Sequence, residues 1–146
     1  MIGNTGKLDY IKPLHKKGHT IGLHSDTHRY DLIYKSTDAY FKDLNKLSKK
    51  IEDLIGIKTK IMRFPGGGSN GVSKKYCRGI MSRLTVQVMA KGYAYFDWNI
   101  SSGDADAHNV PAPKITATVL SQAVGKESIC EGWFQEGANC VPAKVA

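Results

Sequence analysis

The order of strand-like and helical segments constrains the fold of this chain more than any other feature of its sequence. Three short runs rich in apolar or β-prone residues predict strands, at residues 20–23, 58–62 and 93–100. A helical segment precedes the first run and others follow the runs. Strands that alternate with helices are typical of βα units, in which parallel strands are connected through helices. The sequence therefore predicts an α/β fold.

The clearest predicted helix lies between Ser36 and Gly56. Ser36, Thr37 and Asp38 offer capping oxygens at its start, and Gly56 suits its C-terminal end. Apolar residues recur every three or four positions within it, at Phe41, Leu44, Leu47, Ile51 and Leu54. The other predicted helices cover residues 6–17, 73–91 and 115–124. Pro13 is expected to kink or shorten the first of these.

Two histidines follow the first predicted strand. His24 and His28 are four residues apart, so on a helix or a tight turn both imidazoles can reach one metal ion. Zinc is the usual occupant of such a site, and a hydrolytic zinc normally has three protein ligands and a water. A third ligand is therefore expected from another part of the chain.

Polar residues also follow the other two predicted strands. Arg63 comes directly after the second, and the segment from Asp97 to Asp104 covers the end of the third. In α/β barrels the carboxyl ends of the strands carry the chemistry. These loops are therefore expected to meet at one edge, together with His24 and His28.

Composition and charge argue against several classes of protein. With 41% hydrophobic and 23% charged residues, the chain matches a globular protein rather than a disordered or fibrous one. The formal charge of +8 favours anionic partners, but the lysines are scattered without interleaved aromatic residues, so no nucleic-acid partner is expected. No apolar run is long enough to span a bilayer, and the first six residues lack the features of a secretory signal.

Three segments together resemble the polysaccharide deacetylase family in order, spacing and residue type. They are Gly18–His28, Arg63–Gly66 and the Asp97–Asp104 loop, and the most specific part is H-S-x-x-H preceded by G-H-T-I-G. The resemblance covers residues 1–129 and leaves 130–146 as an unassigned, atypical tail. It implies a distorted (β/α) barrel, incomplete here, and a divalent metal, usually zinc. The implied substrate is an N-acetylated polysaccharide, with peptidoglycan favoured, and the family is usually secreted or on the cell surface.

The resemblance also implies roles for individual residues. His24 and His28 are the implied metal ligands. Arg63 matches the arginine that orients the catalytic aspartate, and Asp104 matches the aspartate that tunes the catalytic histidine. Gly66 and Trp98 are the implied substrate-binding residues, through a backbone N–H and a wall of the acetyl pocket. Asp97-Trp98 is a rival alignment for the third loop, and Trp98 is equally compatible with core packing.

Two departures from the family pattern stand out. Residues 1–17 contain no Thr-Phe-Asp-Asp element to provide the base and the third metal ligand, and Asp9 is a poor substitute. No Leu-x-His element follows His28, since His108 lies in a proline-flanked loop and residues 129–132 read Ile-Cys-Glu-Gly. We therefore expect either a metal-dependent deacetylase domain that is incomplete in this chain, or a non-catalytic saccharide-binding remnant of one.

Overall fold

A computed structural model describes residues 10–103, 109–124 and 130–131. The chain divides into two units, one ending at Phe96 and the other beginning at Asp97. The helices and strands of the first unit are α1 (Ile11–Lys16), α2 (Tyr30–Ile33), α3 (Thr37–Ile55), β1 (Ile61–Met62), a 3₁₀ turn (Val72–Lys75), α4 (Ile80–Ala90) and β2 (Ala94–Tyr95). No helix in the described ranges is both long and apolar enough to cross a membrane.

Helix α3 is the longest element of the first unit and agrees with its prediction. The Ser36 hydroxyl accepts a hydrogen bond from the N–H of Ala39 at 3.1 Å, which satisfies one of the donors left over at the helix start. At the other end Gly56 has a φ of 75°, the left-handed conformation that glycine adopts at little cost. The buried face of α3 consists of Tyr40, Phe41, Leu44, Leu47, Ser48 and Ile51.

The strands of the first unit are parallel but shorter than predicted. Ile61 pairs with Ala94 and Met62 with Tyr95, while the predicted strand 20–23 contributes only a bridge from Leu23 to Met62. One reason is that the Thr59 hydroxyl, at 2.7 Å, donates to the Ile21 carbonyl that a ladder N–H would otherwise bind. The mixture of helices and parallel strands confirms the predicted α/β character.

Two predicted helices of the first unit are also shorter than expected. The segment 73–91 divides into the 3₁₀ turn and α4, because Gly79 has a φ of 70° and interrupts the right-handed backbone. The described part of segment 6–17 is helical only over Ile11–Lys16. Pro13 lies in the first turn of α1, where its missing N–H costs no helical hydrogen bond.

The second unit contains β3 (Ile100–Ser101), α5 (Ala112–Ala123) and β4 (Cys130–Glu131). Strands β3 and β4 are parallel, with Ile100 opposite Cys130, so the first two residues of the unassigned tail form a strand. The side chain of Gln122 on α5 binds both backbone groups of Ser101, its Nε2 donating to the carbonyl at 2.8 Å and its Oε1 accepting from the N–H at 3.2 Å. This contact connects α5 to the edge of β3.

Aromatic side chains dominate the core beside the loop that follows β1. Tyr34, Tyr40 and Phe64 are completely or almost completely buried. The ring centroids of Tyr34 and Tyr40 are 6.0 Å apart, and those of Tyr40 and Phe64 are 5.4 Å apart. Because Phe64 belongs to the loop itself, this packing fixes the backbone on both sides of it.

Candidate functional site

The two histidines lie side by side in the turn formed by residues 24–28, which follows Leu23. Their ring centroids are 5.1 Å apart and the ring planes are inclined by 40°. Both side chains are half-buried, and the Nε2 atom of His28 is shielded from solvent. The structure therefore brings together the pair of imidazoles that the sequence singled out.

A hydrogen bond connects this turn to the end of β1. Nδ1 of His24 lies 2.9 Å from the backbone oxygen of Arg63. A carbonyl only accepts hydrogen bonds, so Nδ1 carries the proton and the lone pair of the neutral ring is on Nε2. Such a contact orients an imidazole whose other nitrogen binds a metal.

Burial keeps both rings in their neutral form at pH 7. Desolvation lowers the pKa of His24 to about 4, although the hydrogen bond to the Arg63 carbonyl acts in the opposite direction. Desolvation also lowers the pKa of His28. Because a metal binds the neutral imidazole, neither ring has to lose a proton before binding near pH 7.

The backbone of the 24–28 turn is held by Asp43, a residue of α3. Oδ2 of Asp43 accepts hydrogen bonds from the Ser25 hydroxyl at 2.6 Å and the Asp26 N–H at 2.8 Å. Oδ1 accepts from the N–H and the hydroxyl of Thr27, at 3.1 and 2.8 Å. Asp43 was not predicted as a site residue, because its partners in the turn lie 16 to 18 residues earlier in the chain.

Asp26 makes a second connection between the turn and α3. It is only 6% exposed, and its Oδ2 lies 2.8 Å from Nζ of Lys46, while Lys50 donates to its Oδ1. Burial alone raises the pKa of Asp26, but the hydrogen bonds from Lys46 and Lys50 hold it below its ordinary value. The Asp26 carboxylate therefore stays charged although little of it is exposed to solvent.

The loop of residues 63–67 approaches the turn through Tyr30. Gly66 is exposed and has a φ of 76°, and a Cβ atom added there would lie 2.9 Å from the hydroxyl oxygen of Tyr30. The Tyr30 ring in turn lies 5.6 Å from the ring of His28. The Tyr34 hydroxyl donates to the Pro65 carbonyl at 2.6 Å. Glycine therefore suits position 66 for two reasons: its φ is positive, and the Tyr30 hydroxyl occupies the space that a Cβ atom would need.

Replacing Gly66 by alanine should lower the free energy of unfolding by about 2–3 kcal/mol, because the strained φ and the close contact with Tyr30 add together. The matched control is Gly56→Ala. Gly56 has nearly the same φ but nothing within 4 Å of an added Cβ, so its loss should be about 1–2 kcal/mol. Urea unfolding measures both. Equal losses would show that the Tyr30 hydroxyl does not restrict residue 66.

Of the remaining predicted residues, Arg63 adjoins the pair through its backbone oxygen, Trp98 belongs to the second unit, and Asp104 is outside the described ranges. The Arg63 side chain is half-buried at the end of β1, and Trp98 is half-buried in the second unit. Asp104, Asp9 and His108 are not among the described residues. Within the part of the chain that the structure describes, no three His, Cys, Asp or Glu side chains are grouped closely enough to hold a metal.

Comparison with known proteins places these residues in a family. The family model described as polysaccharide deacetylase matches residues 2–88. The peptidoglycan-N-acetylglucosamine deacetylase of Bacillus cereus is 27% identical over 125 residues, which are 83% of this chain and 42% of that protein. The chain spans less than half the length of the curated relatives it matches.

Solved structures agree with this assignment. The catalytic domain of peptidoglycan N-acetylglucosamine deacetylase from Eubacterium rectale is 42% identical, with a TM-score of 0.78 over 80% of this chain and 53% of that one. A polysaccharide deacetylase from Bacillus cereus is 26% identical, with a TM-score of 0.69 over 86% of this chain and 58% of that one. The matched residues 2–88 include both histidines, Arg63 and Gly66, and on this evidence the chain belongs to the polysaccharide deacetylase family.

Proposed function

We propose that this chain contributes the metal site and part of the substrate face of a metal-dependent hydrolase. The reaction is the removal of N-acetyl groups from N-acetylglucosamine-containing polysaccharide. The observation that carries the proposal is the pair of adjacent, neutral imidazoles at His24 and His28, within the residues matched by the family. Peptidoglycan is the substrate we favour, because two relatives are named for it.

His24 and His28 are the proposed ligands of a divalent metal, zinc by preference. Neutral imidazole nitrogens suit zinc, and the Arg63 carbonyl leaves the lone pair of His24 on Nε2. When bound there, zinc would supply a water of lowered pKa and would polarise the acetyl carbonyl. Since no third ligand is grouped with the pair in the described ranges, we assign that role to an aspartate, as the family resemblance implies.

We also propose roles for four further residues, Arg63, Gly66, Trp98 and Asp104. The guanidinium of Arg63 has the planar, permanently charged form that pairs with and orients a catalytic carboxylate. The N–H of Gly66 donates to the oxygen of the acetyl carbonyl as negative charge develops on it. Trp98 is the proposed wall of the acetyl pocket, and Asp104 the residue that tunes a catalytic histidine. We also propose that the parallel strands belong to an incomplete distorted (β/α) barrel.

A second candidate function is saccharide binding without hydrolysis. It is favoured by one observation: the described residues contain no third metal ligand beside the two histidines. In that case the residues around His24 and His28 would bind an N-acetylated sugar without removing its acetyl group.

Acetate release separates the two functions. The chain, joined to a strand that carries the family's Asp-Asp pair, is incubated with zinc and an N-acetylated glucosamine oligosaccharide, and acetate release and saccharide binding are measured in parallel. The deacetylase proposal expects acetate that disappears when a chelator removes zinc. The saccharide-binding proposal expects saturable binding and no acetate. If neither saccharide binding nor acetate release is detected, both proposals are rejected.

A further inference from the structure

One face of α3 contacts the 24–28 turn through charged groups. Asp43, Lys46 and Lys50 are separated by three and four residues, so they lie along the same side of the helix. Asp43 accepts four hydrogen bonds from the turn, and both lysines bind the carboxylate of Asp26. The helix and the turn thus each present a carboxylate to donors of the other. Asp43 of α3 accepts from the turn, and Asp26 of the turn accepts from the lysines of α3.

The conformation of the turn needs such support. His28 has a φ of 55°, in the left-handed region that residues with a side chain rarely adopt. Inside the turn, the Ser25 hydroxyl accepts a hydrogen bond from the N–H of His28 at 2.9 Å. The same hydroxyl donates to Asp43, so the contact that orients His28 depends in turn on α3. A backbone held in a sparsely populated conformation persists only when its surroundings impose it.

A carboxylate is the group that fits this position. Each oxygen of Asp43 accepts from one backbone N–H and one hydroxyl of the turn. Asparagine has almost the same shape, but its NH₂ would face two donors and could accept from neither. The change from aspartate to asparagine therefore removes at least the backbone N–H contact on the side of the NH₂ group, without creating a cavity.

We propose that Asp43 is a positioning residue for the metal site: its four hydrogen bonds hold the 24–28 turn so that His24 and His28 face each other. The effect on metal binding rests on the proposed function, since the two histidines are the proposed metal site. The placement of the two rings by a carboxylate on α3 is testable without any metal.

The test compares Asp43→Asn with two variants of the same helix. Asp53→Asn is the same chemical change at an exposed position, where Asp53 contacts Lys49 at 3.1 Å. Ser36→Ala removes the cap of α3 and weakens the helix without touching the turn. All three are measured as full chains, at a temperature where circular dichroism shows each to be folded.

In the metal-free proteins, NMR follows the ring resonances of His24 and His28 and the hydrogen exchange of the 26–28 amides. Asp43→Asn should shift both rings and speed exchange at these amides at least about 10-fold, whereas the two controls should change neither. Unmoved rings and unchanged exchange in Asp43→Asn would overturn the proposal. So would equal effects in Ser36→Ala, because Asp43 would then act only through the stability of α3.

Zinc titration then links positioning to function. We expect Asp43→Asn to bind zinc about 10–100-fold more weakly than the unchanged protein, the range found for groups that orient metal ligands. Undiminished zinc affinity in Asp43→Asn would contradict the role at the metal site. If the unchanged protein itself does not bind zinc while the rings still move in Asp43→Asn, the metal proposal fails and the positioning of the turn stands.

Discussion

Replacing either histidine of the 24–28 turn should weaken zinc binding by more than about 100-fold, which is the upper range for residues that only orient a ligand. The reason is geometric, since the two rings lie 5.1 Å apart and each supplies one nitrogen to the proposed ion. His24→Ala tests the first ring. His28→Asn is the better change at the second, because asparagine tolerates the positive φ of that position. Zinc affinity is measured by competition with a chromophoric chelator.

His19→Ala is the matched control for these variants. His19 is an exposed histidine just before the turn, so its removal deletes an imidazole without changing the site. Its zinc affinity should equal that of the unchanged protein. If His24→Ala and His28→Asn also retain that affinity, zinc binds elsewhere and the proposed ligand set is wrong.

Replacing Phe64 by alanine should produce the largest loss of stability, about 3–5 kcal/mol in the free energy of unfolding. Phe64 is completely buried, and its ring lies 5.4 Å from that of Tyr40 and 5.2 Å from that of Tyr95. The same change at Phe96, which is 44% exposed, should cost less than about 1 kcal/mol. Urea unfolding followed by circular dichroism measures both.

The loss at Phe64 also bears on the site. Its neighbours Arg63 and Pro65 offer the carbonyls that accept hydrogen bonds from His24 and Tyr34. We therefore expect the ring resonance of His24 to broaden in Phe64→Ala even at temperatures where the protein stays folded. A loss no larger than that of Phe96→Ala would mean that the packing around residue 64 contributes little to the position of the loop.

Features that are determined by residues close together in the sequence were predictable. Helix α3 has its cap, its apolar spacing and its terminal glycine within 21 consecutive residues, from Ser36 to Gly56. The two histidines and their flanking residues are equally local, and they were the most specific part of the resemblance to the family. Local patterns suffice where neighbouring residues decide the structure.

Features that depend on distant contacts were not predictable in the same way. The strand predicted at 20–23 is reduced to the Leu23 bridge, partly because the Thr59 hydroxyl takes the Ile21 carbonyl. By contrast, the break at Gly79 is local, and the predicted helix over 73–91 was wrong in continuing through that glycine. Asp43 was missed because its importance lies in its partners, 16 to 18 residues earlier in the chain.

The Tyr30 ring acts as a spacer between two loops. It touches the His28 ring on one side, and its hydroxyl fills the volume that a side chain at position 66 would need. Bulk at position 30 and bulk at position 66 therefore compete for the same space. We therefore expect a larger side chain at position 66 to be accommodated only together with a smaller one at position 30.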